Sequence, residues 1–212
     1  MRYRVIAYCL LLLVGLAVLA ARAGIVEHVR DRLAYAGLVA GRGNEDDASR
    51  VAMLAHYDRA DHLVAPGTTY FIGDSIAFKA PFGGPCVAIR AIGGERSDQL
   101  LANLGRWPSL DRAGAVVIAI GTNDVWQRRS GQLGENVRAL IDRIDAPTYL
   151  IGLTADIDGI EQANEALRRA CVGKCTFIQP VGARADDGIH LAPHGYAQIA
   201  ARAPLRCKAA AA

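Results

Sequence analysis

The residues best suited to chemistry are a serine on a glycine turn and a histidine with a nearby carboxylate. Gly73-Asp74-Ser75 follows an apolar run, and Asp187 lies three residues before His190 near the C-terminus. On a loop, that spacing lets the carboxylate reach the imidazole Nδ1. A serine hydroxyl becomes an effective nucleophile when a histidine accepts its proton, and a carboxylate orients that histidine and stabilises its charged form. The three side chains therefore indicate nucleophilic acyl transfer.

Hydrogen-bond donors suited to an oxyanion follow two other apolar runs. Gly93-Gly94-Glu95 comes after one run, and Gly121-Thr122-Asn123-Asp124 comes after the next. A tetrahedral intermediate needs two or three such donors, each worth about 3 to 4 kcal/mol. His194 lies in the first turn of the last predicted helix, so we expect it to be solvated or packed rather than to act as the base.

The elements that must position these residues are short strands alternating with helices. The predicted strands are residues 68–72, 86–92, 115–120, 148–152 and 176–179, and the predicted helices are 97–106, 131–145, 160–171 and 193–203. The run at 115–120 is apolar throughout, which is typical of a strand covered on both faces. We therefore predict an α/β fold, a three-layer α/β/α sandwich with a five-stranded, mainly parallel sheet. Functional residues of such sheets gather at the carboxyl ends of the strands.

Composition excludes several classes of protein. Hydrophobic residues make up 52% of the 212 residues and charged residues 21%, which excludes a disordered or fibrous chain. The net charge of +3 comes from residues 1–23, which hold three basic residues and no acid, so the rest of the chain is neutral. With no basic stripe and no nucleic-acid-binding motif, we expect no nucleic-acid partner.

The N-terminus has the pattern of a targeting segment. Arg2 and Arg4 precede an uncharged run over residues 5–21, and small residues flank Arg22. This predicts a cleaved export signal or, alternatively, an uncleaved apolar helix that associates with the membrane. The predicted divisions are a signal peptide or anchor at 1–23, a helical spacer at 24–66 and the main domain at 67–207. The expected location is periplasmic or extracellular, with tethering to the inner membrane as the alternative.

Export would place four cysteines in an oxidising compartment where disulfides persist. These are Cys86, Cys171, Cys175 and Cys207. Sequence alone does not determine their pairing. The two alternatives are one disulfide among the last three cysteines and buried free thiols. The single Cys-x3-Cys pair lacks the other ligands of a zinc site, so we expect no metal.

Taken together, the sequence resembles the SGNH hydrolases, also called GDSL esterases. The resemblance covers residues 68–203 and rests on Gly73-Asp74-Ser75, Gly94, Gly121-Thr122-Asn123-Asp124 and Asp187-x-x-His190, in this order. It implies a flavodoxin-like α/β/α fold and a serine esterase mechanism without a cofactor. It also implies a triad in which Ser75 is the nucleophile, His190 is the general base and then the general acid, and Asp187 is the partner of His190. The implied oxyanion hole consists of the Ser75 N–H, the Gly94 N–H and the Asn123 side chain. Asp74 and Asp124 would then have structural roles.

The resulting functional prediction is an exported esterase that removes a small acyl group, such as acetyl, from an envelope glycan or another small ester. The alternatives among enzymes are an acyltransferase that passes the acyl group to a sugar hydroxyl and a lysophospholipase or thioesterase. The noncatalytic alternatives are an envelope protein that binds glycan and a structural partner of a membrane complex through residues 24–66. Three aromatic residues close to the motifs, Phe78, Phe82 and Trp126, are candidates for an acyl pocket or for ordinary packing.

Overall fold

The structure, a computed structural model, describes residues 43–205, with side chains from residue 48 onward. The predicted N-terminal apolar helix at 1–23, the start of the predicted spacer and Cys207 lie outside the described residues. Within residues 43–205, no helix is both long enough and apolar enough to cross a membrane. The predicted domain boundaries stay a prediction. The site described below belongs to one compact unit that starts at Arg50.

The described residues form five strands and seven α-helices, besides four short 3-10 helices. The strands are β1 Thr69–Gly73, β2 Val87–Ala91, β3 Ala115–Ala119, β4 Thr148–Ile151 and β5 Thr176–Ile178. The helices are α1 Gly43–Ala60, α2 Ser75–Phe78, α3 Ser97–Asn103, α4 Thr122–Trp126, α5 Leu133–Asp142, α6 Ile160–Cys171 and α7 Pro193–Ala200. Every strand and helix predicted between residues 68 and 203 is present. No range was predicted for the two short helices α2 and α4, because four or five residues are too few to show a helical period.

The sheet is parallel throughout, with strand order β2-β1-β3-β4-β5. This is the flavodoxin-like order, in which the direction of winding reverses between β1 and β3 and leaves a crevice outside their carboxyl ends. The register aligns Gly73 with Ala91 on one side and with Ala119 on the other. The loops after β1, β2 and β3 therefore leave the sheet at the same edge.

Buried residues pack on both faces of the sheet. Tyr70 and Ile72 of β1 belong to one apolar cluster, which includes Leu100 of α3, and Phe71 belongs to the other, which includes Ile199 of α7. Successive strand side chains point to opposite faces, so a strand covered on both sides must be apolar throughout. The three-layer α/β/α prediction is confirmed.

Two of the four cysteines outside the leader pair locally. Cys171 ends α6 and forms a disulfide with Cys175, four residues later. Cys86 is also disulfide-bonded. The sequence could not decide between a disulfide among the three C-terminal cysteines and free thiols, and the structure shows a disulfide between two of the three.

Candidate active site

Ser75 stands at the carboxyl end of β1, on a turn that only glycine allows. Gly73 has φ of +143°, and a Cβ there would overlap the carbonyl oxygen of Ala119 on the neighbouring strand. The Asp74 side chain then caps α2, its Oδ1 accepting a hydrogen bond from the Ile76 N–H at 2.9 Å. Ser75 is therefore the first residue of α2 and is presented to the crevice between β1 and β3.

The loop before α7 brings a histidine and a carboxylate to the serine. Asp187 Oδ1 accepts hydrogen bonds from the backbone N–H groups of Ile189 at 3.0 Å and His190 at 2.9 Å. Its Oδ2 lies 2.6 Å from His190 Nδ1, and His190 Nε2 lies 3.0 Å from Ser75 Oγ. With the Nδ1 proton directed at the carboxylate, Nε2 is left to accept the hydroxyl proton.

The Asp187 carboxylate is held in its charged form. Desolvation raises its pKa, but the hydrogen bonds from the backbone and side chain of His190 and from the Ile189 backbone outweigh this effect. The pKa of Asp187 therefore lies well below its ordinary value. A negative charge next to Nδ1 favours the imidazolium that forms when the histidine takes a proton.

Asn123 lies between the loop that follows β1 and the loop that follows β2. Its Nδ2 donates to the Glu95 carbonyl oxygen at 3.0 Å and approaches Asp74 Oδ2 at 3.4 Å. Glu95 directly follows Gly94, and Asp74 directly precedes Ser75. The structure thus brings the Asn123 amide next to both backbone segments whose N–H groups were predicted to form the oxyanion hole. Gly94 has φ of +79° and is exposed.

Two buried aspartates hold these loops together. Asp74 is completely buried, and this burial, together with the negative charges of Asp124 and Glu95, raises its pKa to about 7 although the Ile76 N–H opposes the shift. Asp124 accepts hydrogen bonds from Ser97 N–H at 3.0 Å and Ser97 Oγ at 2.5 Å, which ties α4 to the start of α3. Burial also raises the pKa of Asp124.

Two other side chains near the histidine differ in what they contact. His194 is exposed, and its Nε2 lies 2.6 Å from the Gly182 carbonyl oxygen rather than near the serine. Lys79, which the sequence did not indicate, places Nζ 3.2 Å from His190 Nδ1. No local pattern could have shown this contact, because 111 residues separate the two side chains.

A small apolar slot lies beside the loops that carry the reacting groups. It has about 10 Å³ of free volume. Its lining includes the residues next to Ser75, Asn123 and His190 in the chain, and consists of Ile76, Ala119, Ile120, Thr122, Ile151, Gly152, Leu153, Thr154 and Leu191. None of the three candidate aromatic residues lines it. Phe82 packs against Phe71 and Tyr196, with ring centroids about 6 Å apart, and Phe78 is half exposed at 48%.

A wider groove of about 740 Å³ adjoins the slot and shares Leu153 and Thr154 with it. Its lining is rich in polar side chains, among them Asp156, Asp158, Glu161, Gln162, Gln179 and Arg184. The Asp156 N–H donates to the Gly188 carbonyl oxygen at 2.7 Å. The groove wall therefore contacts the loop that carries Asp187 and His190.

Comparison with known proteins identifies the fold. No protein-family model matches the sequence, and no curated protein sequence matches it. A GDSL-like lipase from Bacteroides thetaiotaomicron is 20% identical with a TM-score of 0.56, over 70% of this chain and 93% of the lipase. The acetylxylan esterase Axe2 from Geobacillus stearothermophilus is 16% identical with a TM-score of 0.52, over 65% and 93%. TesA is 21% identical with a TM-score of 0.51, over 66% and 99%. The chain is therefore similar in fold to these three proteins.

Proposed function

We propose that this chain, which shares its fold with a GDSL-like lipase and an acetylxylan esterase, is a serine esterase of the SGNH type. The observation that carries the proposal is the continuous hydrogen-bonded series from Ser75 Oγ to His190 Nε2 at 3.0 Å and from His190 Nδ1 to Asp187 at 2.6 Å. A hydroxyl, a base and an orienting carboxylate in this order are the parts that acyl transfer through a serine requires.

In the proposed reaction, Ser75 Oγ attacks the ester carbonyl carbon while its proton passes to His190 Nε2. The tetrahedral intermediate collapses, its bond to the leaving alkoxide breaks, and His190 returns the proton to that alkoxide. A water molecule then gives a proton to His190 and attacks the acyl-enzyme. The second tetrahedral intermediate releases the acid and restores the Ser75 hydroxyl. Asp187 stays ionised throughout and stabilises the imidazolium.

The negative oxygen of each intermediate would be bound by the Ser75 N–H, the Gly94 N–H and the Asn123 side chain. The position of the Asn123 amide beside Asp74 and Glu95 supports this assignment, because it lies next to both N–H segments. Donors held in place before the reaction stabilise the developing charge without the cost of reorganisation.

The apolar slot supports a small acyl group. About 10 Å³ of free volume is close to the smallest space that admits a single water molecule, so it suits a methyl group better than a longer chain. We therefore propose acetyl-like esters as substrates. A longer acyl chain, as in the lysophospholipase and thioesterase alternatives, would have to lie outside this slot, so chain-length dependence separates these alternatives from an acetyl-like ester.

The polar groove supports a polar alcohol as the other half of the ester. Carboxylate, amide and guanidinium groups around about 740 Å³ can hydrogen-bond several hydroxyl groups at once. A sugar ester of an envelope glycan fits these properties. The predicted export to the periplasm or cell exterior, with or without a membrane anchor, would bring the enzyme to such a substrate and stays a prediction based on residues 1–23.

Hydrolysis of p-nitrophenyl acetate by the purified protein and by Ser75→Ala tests the catalytic proposal. We expect the wild-type protein to hydrolyse the ester and the variant to lose at least about 10³-fold in kcat. Equal rates for both proteins would refute the serine mechanism. Product analysis with an added sugar acceptor separates hydrolysis from the acyltransferase alternative, and absence of any turnover would favour the noncatalytic alternatives.

Chain-length dependence tests the slot. We expect wild-type kcat/KM to fall by about 10- to 200-fold from p-nitrophenyl acetate to the propionate, the range measured for misfit of one methylene group. Ile151→Ala, which enlarges the slot, should narrow this ratio. Ile178→Ala is the matched control, since Ile178 is a buried isoleucine of the same cluster that does not line the slot. An unchanged ratio in Ile151→Ala would contradict the assignment.

A further inference from the structure

We propose that Arg50 and Glu95 are positioning residues that hold the oxyanion-hole loop in place. The inference rests on the proposed function, because it assigns the ion pair a role in that reaction. Arg50 lies on α1, before the part of the sequence that resembles the SGNH hydrolases. The helical segment that precedes β1 would therefore act on catalysis without touching the substrate.

The Glu95 carboxylate is the buried anchor of this arrangement. Its side chain has no solvent exposure, and its Oε1 accepts hydrogen bonds from Arg50 Nη2 at 2.9 Å and Asn103 Nδ2 at 2.8 Å. Arg50 reaches it from α1 and Asn103 from α3. The helix α1, 45 residues earlier in the chain, and the helix α3, which directly follows this loop, thus meet at one carboxylate oxygen.

The backbone of the same residue carries the connection to the site. The Glu95 carbonyl oxygen accepts the hydrogen bond from Asn123 Nδ2 at 3.0 Å, and the Glu95 N–H donates to the Ile92 carbonyl oxygen at 3.2 Å. Gly94, whose N–H would bind the oxyanion, is joined to Glu95 by a peptide bond. Fixing the Glu95 side chain therefore restrains both Gly94 and the Asn123 amide.

Stability alone does not account for this ion pair. Glu95 Oε2 and Arg50 Nε are buried and have no hydrogen-bond partner, so part of the cost of removing the two charges from water is uncompensated. Buried ion pairs are weak sources of net stability, and apolar residues of similar volume often replace them without loss. A positioning role gives a reason for charges at this point, since catalytic donors must be held to a fraction of an ångström.

The first test is a double-mutant cycle on ester hydrolysis. Arg50→Met should lower kcat about tenfold with KM changed less than about twofold, because the interaction it weakens is made in the transition state. In an Asn123→Ala background, the same substitution should lower kcat by less than about threefold, since one of the two donors it positions is already missing. An equal factor in both backgrounds, or a normal kcat in Arg50→Met, would overturn the proposal.

Two further variants guard against an effect on folding alone. Arg50→Lys keeps one charged donor and should recover most of the lost rate. Arg106→Met is the matched control: Arg106 pairs with Asp58 of α1 through Nε at 3.1 Å, but on the surface and away from the site. It should leave kcat and KM unchanged. If Arg106→Met lowers kcat as much as Arg50→Met does, the effect belongs to α1 in general and the proposal fails.

Hydrogen exchange measured by mass spectrometry tests the same idea without activity. Amide exchange in the peptide that covers residues 92–96 should become at least about tenfold faster in Arg50→Met and stay at the wild-type rate in Arg106→Met. Unchanged exchange in Arg50→Met would overturn the positioning role even if the protein is an esterase. Conversely, the wild-type protein could lack esterase activity while exchange in residues 92–96 becomes faster in Arg50→Met as expected. That result would refute the proposed function but not the structural connection between Arg50 and the loop.

Discussion

Replacement of Asp74 by asparagine should change how the stability of the protein depends on pH. Asp74 is completely buried, and its pKa is raised from 3.8 to about 7. The folded state therefore binds a proton between about pH 4 and pH 7 that the unfolded state has released. Stability from this group is fully present below about pH 4 and is lost as the pH rises through about 7. Asparagine keeps the helix cap but never carries the charge.

The magnitude follows from the size of the shift. Each pKa unit corresponds to about 1.4 kcal/mol, so the difference between 3.8 and about 7 amounts to about 4 kcal/mol at full ionisation. Between about pH 4 and pH 7, Asp74 contributes about −1.4 kcal/mol per pH unit to the slope of the free energy of unfolding against pH. Buried Asp124 and Glu95 also have raised pKa values, so the variant should flatten the profile without abolishing its slope.

Urea unfolding at half-unit steps from pH 4 to pH 8 measures this. Asp74→Asn should gain stability relative to the wild type as the pH rises, by up to a few kcal/mol at pH 8. Asp111→Asn removes an exposed carboxylate and serves as the control, with a profile parallel to that of the wild type. Parallel profiles for Asp74→Asn and the wild type would show that the Asp74 carboxyl does not bind a proton in this range, and the reasoning would be wrong.

Three other outcomes follow from the site and its supports. Asp187→Asn should lower kcat by about 10² to 10⁴-fold with a smaller change in KM, because the imidazole loses both its orientation and the charge that stabilises its protonated form. Steady-state kinetics measure this, and a kcat within threefold of the wild-type value would contradict the role of Asp187. His190→Ala should lose most of the turnover, because no base is then left to accept the Ser75 proton, and near-normal steady-state kinetics in this variant would exclude His190 as the base. Gly73→Ala should destabilise the protein by at least about 3 kcal/mol in urea unfolding, since the new Cβ would overlap the Ala119 carbonyl oxygen at a φ unfavourable to alanine; a loss below about 1 kcal/mol would contradict that geometry.

The strands could be predicted from the sequence because the sheet is buried on both faces. A run such as Ala115–Ala119 must be apolar at every position to fit between two layers of helices, and this leaves a clear pattern in the sequence. The short helix Ser75–Phe78 leaves no such pattern. It forms because Asp74 caps it, which is a local contact, and because Gly73 turns the chain close to Ala119, which depends on the neighbouring strand.

The cluster around Glu95 could not have been predicted for a related reason. Arg50 lies 45 residues before Glu95, and nothing in the spacing of either residue distinguishes a buried ion pair from two surface charges. The apolar slot is equally invisible in the sequence. Its lining residues are ordinary core residues, and its volume depends on how closely they pack.

The amino-acid sequence by itself determined the local parts of this protein: the alternation of strands and helices, the turn that carries Ser75 and the three-residue spacing that joins Asp187 to His190. These depend on interactions between neighbours in the chain. Only the tertiary structure decided that Ser75 and His190, 115 residues apart, stand 3.0 Å from each other. That distance depends on the strand order and register of the sheet and on the packing of the loops at its edge, which arise from contacts across the whole chain.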